Sequence, residues 1–424
     1  MSHHTLKSGY KALVERLNRF PQGAPPSQTL YHILELLFSP KEAELVALLP
    51  IVPFGVNEAA KRWKMSRLEA QNILDELSSR AILLDIDKNG ESIYVLPPPM
   101  AGFFEFSLMR VGGKIDQKTL SELFHQYLNV EEDFIKDLFA NGQTQLGRAF
   151  VNEQALSEEN ALHVLDFERA SHIIESSQYI GVGTCYCRHK KMHLGEACDA
   201  PLEICMTFGA SAESLTKYNY ARRIDKIEGM ELLHQAQEHN LVQFGENVQK
   251  GVNFICNCCG CCCEALTAAR KFAFLNPVHT TNFLPVIDEQ TCTGCGKCVE
   301  VCGVEAMSIT STNNPHKPKQ KKATLNPDRC LGCGVCVNVC KPKALSLKHL
   351  GKRILTPVNG AHRAVMMVIE RGKLQHFIFD NQALWSHRAM ATILGVILKL
   401  PPIQQIMASE QIKSRYLGKL LKKY

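Results

Sequence analysis

Residues 292–302 have the sequence CTGCGKCVEVC, and residues 330–340 have the sequence CLGCGVCVNVC. Both segments place four cysteines with the spacing C-x2-C-x2-C-x3-C, and two glycines lie inside each loop, at Gly294, Gly296, Gly332 and Gly334. Glycine lets a loop curl tightly and aim its backbone N–H groups at an enclosed anion. We therefore expect the two copies to form one small pseudo-symmetric metal-binding domain over residues 286–349.

The two copies resemble bacterial-type ferredoxins that carry two 4Fe-4S clusters. In that family three closely spaced cysteines bind one cluster, and the fourth reaches the other. The resemblance implies one cluster on Cys292, Cys295, Cys298 and Cys340, and a second cluster on Cys330, Cys333, Cys336 and Cys302. The C-x2-C spacing also occurs in zinc ribbons, but two four-cysteine copies in identical register argue against zinc here.

The sequence departs from this family directly after each motif. The family usually has proline there, whereas Gly303 and Lys341 follow the fourth cysteines of this chain, with Pro342 one place later. These changes affect backbone rigidity and cluster exposure, so the reduction potentials stay open. The basic connector NNPHKPKQKK at residues 313–322 is expected to be a solvated loop.

Ten further cysteines precede this domain, and none of the 18 lies before Cys185. They form two groups: Cys185, Cys187, Cys198 and Cys205, followed by Cys256, Cys258, Cys259, Cys261, Cys262 and Cys263. A single buried cysteine usually behaves as a small hydrophobe. Because the second group packs so many thiols into so few residues, we predict that this region binds metal.

We expect one or two further Fe-S clusters here, one on the first group and one on a subset of the second. The run Arg188, His189, Lys190 and Lys191 would then supply positive charge that favours the reduced state. Alternatively, the groups share ligands and leave thiols for chemistry, or one group holds a structural zinc. Cys258-Cys259-Gly260 resembles motifs of heterodisulfide-reductase-type subunits, although that tripeptide occurs once.

Composition indicates a globular protein of about three domains, since the chain has 424 residues, 45% hydrophobic and 21% charged. The N-terminus is polar and has no apolar export signal, so we expect reduced thiols in a cytoplasm. No apolar window is long enough for a membrane span. Motifs for binding nicotinamide, flavin or ATP are absent from the sequence.

Residues 1–100 are predicted to contain a winged-helix-like domain. Within residues 29–96 the pattern indicates a short helix, a tight turn, a longer helix from Ser66 to Arg80, and a hairpin around Asn89–Gly90. The resemblance to helix-turn-helix repressors implies DNA binding. A groove-reading helix needs a positive face, however, and this helix is nearly neutral, so we favour a structural or docking module.

The predicted fold class is α+β. Residues 101–285 are expected to form a helical, cysteine-rich middle domain with a strand near residues 179–183 and a helical stretch over residues 211–244. Residues 350–424 are expected to contain two strands over residues 362–379 and a basic amphipathic helix at the C-terminus. Such a helix also occurs at anionic membranes, but a surface helix is the simpler expectation.

These features predict a multi-cluster iron-sulfur electron-transfer protein. We expect it to be a subunit or partner of a larger redox enzyme, with a redox protein as donor and another as acceptor. One alternative is an iron-sulfur reductase with a catalytic cluster in residues 185–263. The other is a redox-sensing transcription factor, against which the charge of the second helix argues.

Overall fold

A computed structural model describes residues 2–378, apart from residues 89, 113–114, 141, 273–280, 313–318 and 352–355. Within this range no helix is both long enough and apolar enough to cross a membrane. A continuous buried core runs from Leu13 through Phe104 to Cys258 and Val335. The N-terminal, cysteine-rich and dicluster regions therefore share one packed interior.

The N-terminal region combines five helices with a small antiparallel sheet. The helices are α1 (Ser2–Leu17), α2 (Gln28–Leu37), α3 (Pro40–Ala47), α4 (Val56–Trp63) and α5 (Arg67–Ser79). The strands are β1 (Phe54–Gly55), β2 (Leu84–Lys88) and β3 (Glu91–Val95), in the order β1-β3-β2. The predicted pair of helices and the hairpin are thus present, in the predicted order.

Two capping boxes fix where these helices begin. The Ser39 side chain caps α3 while Glu42 reaches back to the Ser39 backbone, and Ser66 and Glu69 repeat the arrangement at α5. Each box satisfies two backbone N–H groups that a helix start leaves without a partner. This is why α5 begins at Arg67, one residue after the predicted start.

The middle region is built around a sheet, which the expectation of a helical domain missed. Its strands are β4 (Gly147–Ala149), β5 (Ile180–Thr184), β6 (Glu203–Phe208), β7 (Ala221–Ile224), β8 (Val242–Glu246) and β9 (Phe254–Cys258). They form an antiparallel sheet of six strands in the order β4-β8-β9-β6-β5-β7.

Among the described residues, nine α-helices accompany this sheet along the chain: three precede β4, five lie between successive strands and one follows β9. They are α6 (Phe104–Phe106), α7 (Gln117–His125), α8 (Asp133–Ala140), α9 (Glu158–Ala161), α10 (Ala170–Ser176), α11 (Tyr186–His193), α12 (Gly209–Lys217), α13 (Lys226–Glu238) and α14 (Glu264–Lys271). Residues 126–130 form a π-helical turn, and residues 153–155 and 166–168 form 3-10 turns. The predicted strand near residues 179–183 is present as β5.

The predicted helical stretch over residues 211–244 is interrupted by strand β7, and it ends before β8. The sequence VQFGE of β8 begins with apolar–polar alternation at Val242, Gln243 and Phe244, yet all five of its residues are buried. An alternation over so few residues does not separate a short strand from the end of a helix. The prediction was wrong here for that reason.

The dicluster region is compact and nearly symmetric. It contains β10 (Phe283–Ile287), α15 (Lys297–Glu300), β11 (Met307–Ser311), β12 (Lys321–Leu325), α16 (Val335–Asn338) and β13 (Leu345–His349). Strand β10 pairs with β13, and β11 pairs with β12, both antiparallel. Each cysteine loop therefore lies between one strand pair and one short helix.

The last described segment is helical, which corrects the expectation of two strands over residues 362–379. It forms α17 (Gly360–Glu370) and α18 (Leu374–Ile378), joined at the predicted turn Arg371–Gly372. The apolar, β-branched run in α17 favoured a strand, but the Asn359 side chain caps the backbone N–H of His362 and starts a helix. The predicted basic C-terminal helix lies outside the described residues.

A buried carboxylate joins the N-terminal region to the sheet domain. Asp85 of β2 is 7% exposed and accepts hydrogen bonds from Ser214 (2.7 Å), Tyr218 (3.0 Å) and Lys217. Burial by itself would raise the Asp85 pKa, but these donors outweigh it and hold the pKa below its ordinary value. The junction therefore depends on an ionised Asp85.

We expect Asp85→Asn to reduce stability by about 1–3 kcal/mol near pH 7, because three donors lose their charged partner. A lowered pKa contributes stability above the ordinary carboxyl pKa of about 3.9, and this contribution is lost as the pH falls through the folded value. The difference between wild type and variant should therefore shrink below about pH 4. Thermal unfolding across this pH range measures it.

Asp87→Asn is the matched control, since Asp87 lies on the same strand and is exposed. It should leave both the unfolding midpoint and its pH dependence nearly unchanged. An Asp85→Asn deficit that stays equal from neutral to acidic pH would contradict the role given to the charge.

Candidate metal centres

The dicluster region contains two small cavities, each lined by four cysteines. One is lined by Cys292, Cys295, Cys298 and Cys340, and the other by Cys302, Cys330, Cys333 and Cys336. Helices α15 and α16 pack against each other, so the cysteine just past the end of each helix reaches the opposite loop. The structure thus assembles the same two quartets that the resemblance implied.

Tight backbone packing shapes the loop of the second quartet. Gly332 has φ +67°, and a Cβ at this position would lie 2.0 Å from the carbonyl oxygen of Phe283. The Gly332 N–H donates to Cys330 Sγ (3.3 Å), and the Ala306 N–H donates to Cys302 Sγ (3.2 Å). Such hydrogen bonds to sulfur stabilise negative charge on a bound cluster and raise its reduction potential.

The two quartets differ in their exposure to solvent. Cys295 is exposed, and the backbone N–H of Lys297 lowers the pKa of its thiol. Burial raises the pKa of Cys330 to about 11 and that of Cys333 to about 12. Buried thiols lose their protons readily only beside a cation, so the second quartet needs a bound metal more than the first. The first quartet therefore has a solvent-exposed edge at Cys295, whereas no cysteine of the second quartet is exposed.

Upstream, four cysteines converge on one point, and we call them the four-thiol group. Its members are Cys198, Cys259, Cys261 and Cys262, whose sulfurs all lie within 4.8 Å of one another. Cys198 Sγ lies 3.6 Å from Cys259 Sγ and 3.8 Å from Cys262 Sγ. Sulfurs bound to one tetrahedral ion at about 2.3 Å lie about 3.8 Å apart, so this group fits a single zinc or iron ion.

The other six upstream cysteines form a second assembly, the six-thiol group. Its members are Cys185, Cys187, Cys205, Cys256, Cys258 and Cys263, and they line the wall of one large cavity. Their side chains contact one another in series: Cys205 lies between Cys256 and Cys185, while Cys187 links Cys185 to Cys263, which contacts Cys258. Six thiols exceed the four that a 4Fe-4S cluster requires.

Strand pairing explains why the cysteines divide in this way. Strands β6 and β9 pair with Met206 opposite Ile255, which places Cys205 beside Cys256 although they are far apart in sequence. The expectation from sequence placed Cys198 with Cys185, Cys187 and Cys205. The structure instead brings Cys198 to the loop that follows β9. Nothing in the local spacing reveals this long-range register.

Arg188 lies between the two thiol groups. It is 1% exposed, and it donates to the carbonyl oxygens of Pro201 (2.7 Å) and Asn257 (2.6 Å). Burial would lower its pKa, but the neighbouring thiolates of both groups outweigh burial and raise it. The guanidinium therefore stays charged, and its charge stabilises thiolates of both groups.

One thiol in each group is strongly acidified. A hydrogen bond from Cys262 and the charge of Arg188 hold the pKa of Cys259 at about 4. Hydrogen bonds from Cys187 and Cys205, together with Arg188, hold the pKa of Cys185 well below its usual value. Each group therefore presents a thiolate, which is the form that binds metal.

The other three residues of the predicted basic run have partners other than the thiols. His189 bonds to the carbonyl oxygen of Leu108 (2.7 Å), and Lys191 pairs with Glu196 (2.5 Å). Lys190, completely buried, forms an ion pair with Glu264 directly after Cys263. Of this basic run, Arg188 is the residue that serves the thiols. The Lys190–Glu264 pair, which sequence reasoning missed, joins α11 to α14.

The cysteine-rich region touches the second quartet at two places. A Cβ on Gly260 would lie 2.6 Å from the Cα of Gly303, the residue after Cys302. Val242 lines the cavity of the second quartet and lies opposite Cys258 in the pairing of β8 with β9. Directly opposite residues of an antiparallel pair point to the same face of the sheet, so Cys258 of the six-thiol group lies beside a residue that lines the second quartet's cavity.

Comparison with known families supports this geometry over part of the chain. Residues 291–344 match the family described as the 4Fe-4S dicluster domain. No curated protein and no solved structure matches the chain. The match spans the two quartets and ends before the described helices α17 and α18. Residues 291–344 are thus a ferredoxin-type domain that supports 4Fe-4S binding and iron-sulfur electron transfer.

Proposed function

We propose that the chain relays electrons between a redox partner at the exposed edge of the dicluster domain and an additional Fe-S cluster in the six-thiol group. The observation that supports this most directly is the double contact between the second quartet and the cysteine-rich region, through Gly260 on Gly303 and through Val242. Short, packed separations between redox centres are what electron transfer requires.

The proposed relay contains three cluster sites. The first quartet holds the outer 4Fe-4S cluster, the second quartet holds the inner one, and four members of the six-thiol group hold a third. The four-thiol group holds a single zinc or iron ion, because its sulfurs lie too close together for each to bind a different iron of a 4Fe-4S cluster. That ion fixes the loop bearing Gly260 against Gly303.

The mechanism is one-electron transfer without bonds to a substrate. The clusters supply the redox chemistry, and this chain positions them and sets their potentials. Backbone N–H groups donate to Cys302 and Cys330, and burial around Cys333 lowers the local polarity. Arg188 adds a fixed positive charge, which favours the reduced state of the third cluster.

We propose that the partner is a redox protein that docks at the exposed edge of the dicluster domain. We also propose that the chain works as part of a larger redox enzyme. None of the 18 cysteines forms a disulfide, which fits a reducing compartment such as the cytoplasm. The exposed face of α5 carries Glu69, Asp75 and Glu76 around Leu68, which is 71% exposed. That face argues against nucleic acid as the partner, because phosphate binding needs clustered positive charge.

Anaerobic iron and sulfide analysis tests the number of clusters. The dicluster domain alone accounts for about 8 irons per chain, and the third cluster raises the expected value to about 12, with one further zinc or iron ion. Fully reconstituted protein that stays at the lower value would contradict the third cluster.

Single cysteine substitutions test how the ligands divide. We expect Cys198→Ala to lose the single ion and keep the three clusters, because its sulfur contacts only the four-thiol group among the described contacts. Cys185→Ala should lose about 4 irons and keep the single ion. Metal analysis and visible absorption of the two variants, side by side, measure this. The same loss in both would restore the grouping expected from sequence.

Gly260→Ala tests the contact that carries the proposal. The added Cβ would lie 2.6 Å from Gly303 Cα, so one segment must move. Overpacking of this kind costs about 1–3 kcal/mol. We expect slower electron passage from the dicluster to the third cluster with the dicluster iron retained, measured by rapid-mixing reduction.

The control is Gly55→Ala, because nothing lies within 4 Å of a Cβ at Gly55. It should leave the kinetics of reduction unchanged. If Gly260→Ala lowers stability but leaves the reduction kinetics at the wild-type rate, electrons do not pass through this contact.

A further inference from the structure

The six-thiol group lies on the wall of a large internal chamber. The chamber has a volume of about 800 Å³, within the range of small-molecule binding sites. Its lining is mostly apolar and comes from regions far apart in sequence, including Phe106, Met109, Phe244, Phe254 and Val365. The N-terminal region, the sheet and α17 thus line one space that opens onto thiols.

This chamber is far larger than a cluster needs. The two cavities lined by the dicluster quartets have volumes of about 20 Å³ each, measured in the same way. A cubane in the six-thiol group would fill only the end of the chamber beside the cysteines. Most of the apolar volume remains for another occupant.

One carboxyl group stands out on the apolar wall. Glu105 lines the chamber, and its Oε1 accepts a hydrogen bond from the backbone N–H of Ala101 (2.9 Å). Ala101 has φ +52°, an unfavourable conformation for alanine, which aims this N–H at the carboxyl group. Burial raises the pKa of Glu105 to about 8, so near neutral pH the group carries a proton that it can donate.

We propose that the chamber binds a small, uncharged, largely apolar carbonyl compound of the quinone class, which accepts electrons from the six-thiol site. The apolar lining suits the ring, Glu105 suits a carbonyl oxygen, and the thiol wall places the electron source beside it. This inference rests on the proposed function, because it takes the third cluster as the immediate donor.

The reaction balances without a bond to the protein. A low-potential external donor supplies two electrons, which arrive one at a time through the clusters. The quinone takes up these two electrons and two protons to become the hydroquinone, so each carbonyl oxygen ends as a hydroxyl group. Glu105 supplies one proton and is reprotonated by water, and water supplies the other.

The chamber can be tested by filling it. Ala364 of α17 lines the chamber, whereas Val358, just before that helix, does not and is 41% exposed. The probe is tetramethyl-1,4-benzoquinone, whose fully substituted ring resists addition of thiols, and binding to the full, cluster-loaded chain is measured by anaerobic equilibrium dialysis. We expect one saturable site, weakened at least about tenfold by Ala364→Phe and unchanged by Val358→Phe.

Substitution of Glu105 tests the polar contact separately. Glu105→Gln keeps an N–H donor at the same position, so binding should stay within about threefold of wild type, whereas Glu105→Leu should weaken it at least about tenfold. Addition of the probe to dithionite-reduced, desalted protein should reoxidise the clusters in wild type. This reoxidation should be lost with Ala364→Phe while cluster content is retained.

Two outcomes would overturn the inference. One is the absence of saturable binding to wild-type protein with its full iron content. This result would be compatible with the electron relay but would contradict the chamber as a binding site. The other is equal binding and equal reoxidation in wild type and Ala364→Phe, which places the probe elsewhere. Failure of the relay itself has a different signature, since iron content would then stay at the dicluster value whether or not the probe binds.

Discussion

A buried guanidinium is the constraint around which the cysteine-rich region is organised. Arg188 is fixed by the carbonyl oxygens of Pro201 and Asn257, and thiolates of both upstream groups face it. An isolated buried charge is costly, and so is a cluster of buried thiolates. Each offsets the other here. The positions of α11, which carries Arg188, and of β9, which carries Asn257, therefore depend on the pairing of this charge with thiolates as much as on apolar packing.

The features that the sequence could reveal are those whose partners lie close along the chain. The two quartets follow from a repeated spacing, and Ser66 marks a predicted helix start that the structure keeps as the cap of α5. The six-thiol group depends instead on the β6–β9 register that sets Cys205 beside Cys256, and long-range pairing leaves no local pattern. The strand β8 escaped prediction for a different reason, since its alternation of apolar and polar residues is too short to be separated from the end of a helix.

The cysteines become more buried from the first quartet to the second quartet and then to the six-thiol group, so the two ends of this series differ in their exposure to solvent. Cys295 reaches solvent at the first quartet, Cys330 and Cys336 are buried at the second, and Cys185 and Cys187 are enclosed at the six-thiol group. A large redox partner can approach the exposed end at Cys295. In the proposed relay that end exchanges electrons with the partner, and the more buried six-thiol group lies at the other end.

The departure from the ferredoxin pattern at Gly303 acquires a physical meaning in this setting. A Cβ at Gly303 would lie 3.3 Å from Leu266 Cδ1 and 3.4 Å from Gly260 Cα, so a proline ring at this position would meet the loop that carries the four-thiol group. Proline stiffens a loop that faces solvent. Here the neighbouring loop packs directly against Gly303 and supplies that stiffness. Glycine at this position allows two cysteine-bearing segments to approach closely, and in the proposed relay this is where the dicluster domain meets the cysteine-rich region.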